Sequence, residues 1–184
     1  MAPPVWILMS TMRRGLYRFL LYFVFIGSSL SARDFTVVAY NVENLFDLDE
    51  TALFEDYRIG TGKPFTYDRY KLLTKLQNTV RVLSEYNGGD GPEIILFQEL
   101  EGDFTPESGM GRPAEFLQRF SRTTAEAMLT SAWDPAYRGL PAQAWLLKAM
   151  CDAGLRGYVV ACPPAETGQA GIAHVNVLFS RFPI

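Results

Sequence analysis

Cysteine, histidine and excess positive charge are all in short supply in this chain. Among 184 residues there are two cysteines, Cys151 and Cys162, and one histidine, His174. Two cysteines allow one disulfide at most; in an exported protein they could pair, and the equal alternative is that they are small buried hydrophobes. Seventeen Lys and Arg stand against 20 Asp and Glu, a formal net charge of −3 with no basic patch. Non-specific nucleic-acid binding relies on clustered cations that displace counterions, so that class is disfavoured, while a metal-bridged contact stays open. Internal repeats and low-complexity segments are missing as well. With 48% hydrophobic and 20% charged residues, the chain is neither disordered nor collagen-like, and its composition is that of one ordinary globular domain.

A long apolar run is the remaining absence. Phe19 to Ile26 falls well short of the about 20 residues that a spanning helix needs, so no stable membrane span is expected. Arg13, Arg14 and Arg18 precede that run and the small residues of "GSSLSA" follow it, the order of a secretory signal peptide. The reading is a signal peptide over residues 1–32, cleaved near Ser31 or Ala32, a domain over 33–184, and a secreted or periplasmic product. An uncleaved anchor is the alternative, and Met12, just before the basic pair, is a second candidate start. Removing residues 1–32 takes three Arg from the 17 basic residues and none from the 20 acidic ones, for a net charge of −6.

What is present begins with "FTVVAYNVENLFD", residues 35–47. Phe35 to Tyr40 are apolar, β-branched or aromatic, the pattern of a strand covered on both faces in a sheet interior. Alternation places Phe35, Val37, Ala39, Asn41 and Glu43 on one side if the strand persists. The polar end reads either as a turn that closes a strand or as a site. An acidic, then Gly-rich connection follows, long enough to suggest a functional loop. From Asp68 to Tyr86, Leu72, Leu73, Leu76, Val80 and Leu83 mark an amphipathic helix, with Lys71, Lys75, Asn78, Arg81 and Glu85 largely off the apolar stripe. "NGGDGP" stops it.

A second apolar strand, "EIILFQELE", repeats the pattern of the first and ends in Gln98, Glu99 and Glu101. A strand, crossover helix and strand form a right-handed unit with parallel strands. Asn41 and Glu99 should then be neighbours at the carboxyl ends, where open α/β sheets bind ligands. Further on, Phe116, Leu117 and Phe120 suggest a helix; another begins near Pro141 and stops at Gly154. "GYVVAC" and "IAHVNVLF" read as two more strands around the loop "PPAETGQAG".

"VVAYNVENLFD", "EIILFQELE" and "NVLFSRFPI", in that order, resemble the endonuclease/exonuclease/phosphatase superfamily. The likeness spans Phe35 to Ile184, with the middle helices matching only in layout. It implies an α/β fold, the N-terminal half of a four-layer α/β sandwich, and a phosphoester hydrolase that uses Mg2+ or Mn2+. The implied partner is a phosphate-ester substrate, nucleic acid among the candidates. By the same resemblance Glu99 is the metal-binding carboxylate, Asn41 lies by the metal and the scissile phosphate, and Glu43 is a second acidic position used by some members. Glu99 and Asn41 are thus the catalytic candidates, and Glu99, Asn41 and Glu43 the metal candidates. Hard oxygen ligands, one or two of them carboxylates, suit magnesium. Gln98 is expected on the face opposite Glu99, and Asn44 and Glu101 in turn roles.

The superfamily pattern continues with an Asp-x-Asn segment and an Asp-His pair. Neither occurs in this sequence, and His174 lies in the strand pattern Ile172, His174, Asn176, Leu178, the setting of a structural histidine. The expectation is an exported endonuclease or phosphodiesterase seen as the N-terminal half of a larger enzyme and inactive alone. The alternative is a non-catalytic remnant that keeps a binding surface.

Overall fold

The apolar runs at both ends of the long amphipathic helix become neighbouring strands. The structure, a computed structural model, describes residues 34–48, 67–102, 109–163 and 174–184. The signal-peptide reading and most of the three long loops lie outside the described residues. Phe35–Ile184 forms one compact unit.

Strand β1 spans Val37–Leu45 and helix α1 spans Arg69–Leu83. Asp68 caps α1 by accepting a hydrogen bond from the Lys71 N–H at 2.8 Å, satisfying one of the donors a helix start leaves open. Leu72, Leu73, Leu76 and Leu83 are buried, as their spacing predicts. Asn87 to Gly89 end the helix in a short 3-10 turn, with positive φ at Asn87, Gly88, Gly89 and Gly91.

Strand β2, Ile94–Glu101, pairs with β1 in parallel. Helices α2 (Pro113–Arg119), α3 (Ala125–Thr130) and α4 (Ala142–Asp152) come next, then strands β3 (Val159–Ala161) and β4 (His174–Ser180). The sheet runs β1-β2-β4-β3, with β4 antiparallel to both neighbours. Two expectations about "GYVVAC" and the middle segment need adjusting: β3 is only three residues, and α3 was unforeseen. Thr124 caps α3 through the Ala127 N–H.

The core lies between one face of the sheet and the helices. Ile95, Phe97, Val177 and Phe179 point into it, with the Phe97 and Phe179 rings edge to face at 5.0 Å. Helix α4 is buried nearly all round, from Ala142 through Lys148. Lys148 is tolerated there because it pairs with Asp152, whose other oxygen accepts the Ala125 N–H at 2.7 Å and fixes the start of α3. A charge at this depth is stable only when paired and hydrogen-bonded.

The other sheet face corrects the expectation of strands covered on both sides. Val37 is 51% exposed and Leu96 45%, and Phe35 and Val159 are also open. Among the described residues β1 has β2 as its one strand neighbour and lies at the edge of the sheet. A two-sided buried strand and a strand with an open apolar face share the same run of residues, and periodicity cannot separate them. Cys151, in the last turn of α4, and Cys162, just past β3, are thiols rather than a disulfide.

Candidate functional site

Parallel pairing is regular from Val37 opposite Ile94 to Asn41 opposite Gln98, and then it breaks. The next aligned pair is Leu45 with Leu100, so Val42, Glu43 and Asn44 on β1 face Glu99 alone on β2. Against β4 the same point of β2 slips too, because Phe97 aligns with Val177 but Leu100 with Val175. Bulges of this kind twist a strand and re-aim its side chains. Three residues there, Glu43 (φ 52), Asn44 (φ 66) and Glu99 (φ 61), adopt left-handed backbone. For non-glycine residues such a conformation costs on the order of 1–3 kcal/mol each and persists only where the surroundings enforce it.

The enforcing contacts are specific. The Asn41 side-chain carbonyl accepts the Glu43 N–H at 2.7 Å, and its amide donates to Glu99 Oε1 at 2.6 Å. Lys75, reaching up from α1, donates to the Glu43 carbonyl at 2.6 Å and to the Val42 carbonyl at 3.3 Å. Both backbone groups of Glu43 are thus held by side chains in place of the interrupted ladder. Hydrogen bonds to charged groups contribute about 1.5–3 kcal/mol each, enough to offset strain of the size above.

Asn41 and Glu99 therefore meet as the strand-helix-strand reading expects. Asn41 and Glu43 are exposed and Glu99 is half-buried. Gln98 is exposed and aligned with Asn41, and its neighbour Glu99 has left-handed backbone. Glu101 turns inward, 2% exposed, and accepts the Asp47 N–H at 2.7 Å. Next to it, Tyr67 is fully buried and its oxygen accepts the Phe46 N–H at 3.1 Å. Burial holds the Tyr67 phenol well above its ordinary pKa, opposed by that N–H and reinforced by Glu101, Asp47 and Asp68. His174 is half-buried, with its ring 5.8 Å from that of Phe46.

Lys75 is the residue that sequence reasoning passed over. It was expected off the apolar stripe, yet it is half-buried against the end of β1. Burial pulls its ammonium below the ordinary lysine range; Glu43 opposes the shift, Lys71 adds to it and Glu99 opposes it. Its place between Leu72 and Leu76, one step from the stripe, was the available signal.

Which ions suit this arrangement follows from its donors. Glu99 Oε2 has no hydrogen-bond partner among the described residues, and Glu43 supplies a second carboxylate near the same lysine. Two carboxylates leaving room for waters and a phosphate suit magnesium or manganese. Among the described residues no group of three or more His, Cys, Asp and Glu is gathered that could hold a metal ion. Asn41 has both polar ends engaged, its oxygen by the Glu43 N–H and its amide by Glu99, and the second lone pair of that oxygen is still open to a ligand.

Comparison with known proteins bears on the same segment. Residues 36–105 match the Endonuclease/Exonuclease/phosphatase family. The match covers β1, α1 and β2, the elements that carry the bulges, Asn41 and Glu99. Members of that family are hydrolases that act on phosphoester bonds, and they generally use divalent metals. The mixed α/β unit with its four-strand sheet is consistent with their fold. No curated protein and no solved structure matches the chain. Among the described residues no helix is long and apolar enough to cross a membrane.

Proposed function

We propose that this protein is a divalent-metal-dependent phosphoester hydrolase, an endonuclease or phosphodiesterase, with Glu99 as its principal metal carboxylate. The observation that carries the reading is the 2.6 Å contact between Asn41 and Glu99 at the carboxyl ends of parallel strands, inside the segment that matches the family. Glu99 would hold the metal through Oε2, with Glu43 as the second carboxylate and Asn41 orienting Glu99 beside the phosphate. A bound Mg2+ or Mn2+ supplies charge neutralisation at phosphorus. The bulge directs the carboxylates outward, and Asn41 keeps one Glu99 oxygen engaged so that the other faces the ligand.

Hydrolysis also requires a group that activates or orients water, a contribution of about 10²- to 10⁴-fold. The sequence holds neither Asp-x-Asn nor Asp-His, which supports the reading of this chain as one half of a four-layer sandwich whose other half supplies those groups. The open apolar face of the sheet supports it as well, since a second sheet would cover Val37 and Leu96. The test is a phosphodiester assay with Mg2+ and Mn2+ on this chain and on a version extended by a segment carrying both motifs. Metal-dependent turnover is expected in the extended protein alone, and Glu99→Gln should abolish it. Turnover without metal, or turnover indifferent to Glu99→Gln, would overturn the proposal.

A further inference from the structure

The polar groups beneath the bulge raise a question that the carboxylates do not answer: what keeps Glu43 left-handed where the register of β1 and β2 shifts? Both carbonyls that Lys75 touches, Val42 and Glu43, belong to the three residues of β1 opposite Glu99. Lys75 lies on α1, whose buried leucines anchor it to the sheet, so its reach is set by the core and not by the loop beyond the bulge. Its contacts run to backbone oxygens and not to the carboxylates themselves. The bulge is thus clamped from two sides: from within β1 by Asn41 on the Glu43 N–H, and from α1 by Lys75 on the Glu43 carbonyl.

We propose that Lys75 is a positioning residue of the site, holding the Val42–Asn44 bulge in the shape that presents Glu43 and keeps Asn41 against Glu99. The inference rests on the metal-site reading above for its consequence, though not for its geometry. Two effects of Lys75 on a bound cation have opposite signs. As a like charge near Glu43 and Glu99 it repels a divalent ion, whereas as a clamp it prearranges the ligands. The contact with backbone oxygens makes the clamp the larger effect, since groups that orient metal ligands typically carry about 10- to 100-fold in affinity.

The experiment uses the full chain with Lys75→Met, Lys75→Arg and Glu99→Gln, reading Mn2+ affinity by titration and the exchange of single amide protons by NMR. In Lys75→Met the Glu43 amide should exchange on the order of tenfold faster, while Val38 to Tyr40 keep their protection. Mn2+ affinity should fall by about tenfold or more. Lys75→Arg, which keeps a donor and the charge, should recover most of both. Removing a like charge alone would strengthen Mn2+ binding, so tighter binding in Lys75→Met overturns the proposal, as does an unchanged Glu43 amide. Should Lys75→Met lose global stability, Lys75→Gln, whose shorter side chain does not reach the two carbonyls, decides: Glu43 exchange about tenfold faster supports the clamp, and unchanged exchange refutes it. Unchanged Mn2+ affinity in Glu99→Gln would remove the metal reading, and the Glu43 amide would still decide on Lys75.

Discussion

Two asparagine–glutamate pairs bracket β2, six residues apart, and the same chemistry serves different ends in them. At the amino end Asn87 donates to Glu93 at 2.9 Å, and Glu93, 6% exposed, also accepts the Thr36 N–H at 2.8 Å. Arg181 closes that end by donating to the carbonyls of Asp90, Gly91 and Arg156 while it stacks over Tyr158. At the carboxyl end Asn41 donates to Glu99 at 2.6 Å, but the backbone of Glu99 is left-handed and its second oxygen has no partner among the described residues. The first pair, with Glu93 buried and Asn87 exposed, ties a loop to a strand in regular register. The second pair, at a break in the register and with Glu99 half-buried, presents a carboxylate. An Asn–Glu contact alone therefore does not mark a site; the bulge and the second Glu99 oxygen, without a hydrogen-bond partner among the described residues, do.

The comparison breaks most visibly at Glu93. Glu93→Ala removes the acceptor of the half-buried Thr36 N–H and of the Asn87 amide, and hydrogen bonds to a charged group contribute about 1.5–3 kcal/mol each. Denaturant unfolding should register that loss with little change in metal binding. Equal destabilisation by Glu99→Ala would show that both pairs are structural.

Alkaline pH sharpens the comparison from another side, because a tyrosine with a raised pKa stands at each end. Tyr67 supports β1 at the site end, and Tyr158 donates to the Pro92 carbonyl at the other. Burial raises both phenols; for Tyr158 the nearby Arg181 opposes the shift and Glu93 adds to it. Both folded-state values lie above the unfolded one, so their contribution is intact below about pH 10 and is lost as pH rises past it toward the folded values. One unit above the ordinary tyrosine value, Tyr67 alone should account for about 1.4 kcal/mol. Thermal melts from pH 8 to 11 should show the decline, and the double variant Tyr67→Phe, Tyr158→Phe should flatten it. An equally steep decline in that variant would assign the alkaline loss to other groups.

Much of this was legible in the sequence, for reasons that can be named. β1, α1 and β2 carry strong periodicity and clear stops, and the crossover through a helix makes the strands parallel, so the meeting of Asn41 and Glu99 followed from chain order. Helix α3 was missed because six residues, "AEAMLT", are too few to establish a period. Lys75 was misplaced because the helix pattern fixes which side of α1 is apolar, not how far a neighbouring long side chain can reach. The bulges were illegible because a three-against-one mismatch is a property of two strands together. The open sheet face was hidden in residues equally suited to burial.

The central claim is that Glu99 presents a carboxylate to a metal without being needed for the fold. Titrating Mn2+ into the wild-type chain and into Glu99→Gln, with melts of both, tests it most directly. The claim predicts that Glu99→Gln weakens Mn2+ binding at least about tenfold while stability falls by less than about 1 kcal/mol, because Gln keeps an acceptor for Asn41 and gives up only the charge. Unchanged Mn2+ affinity, or a loss of stability as large as that of Glu93→Ala, would contradict it.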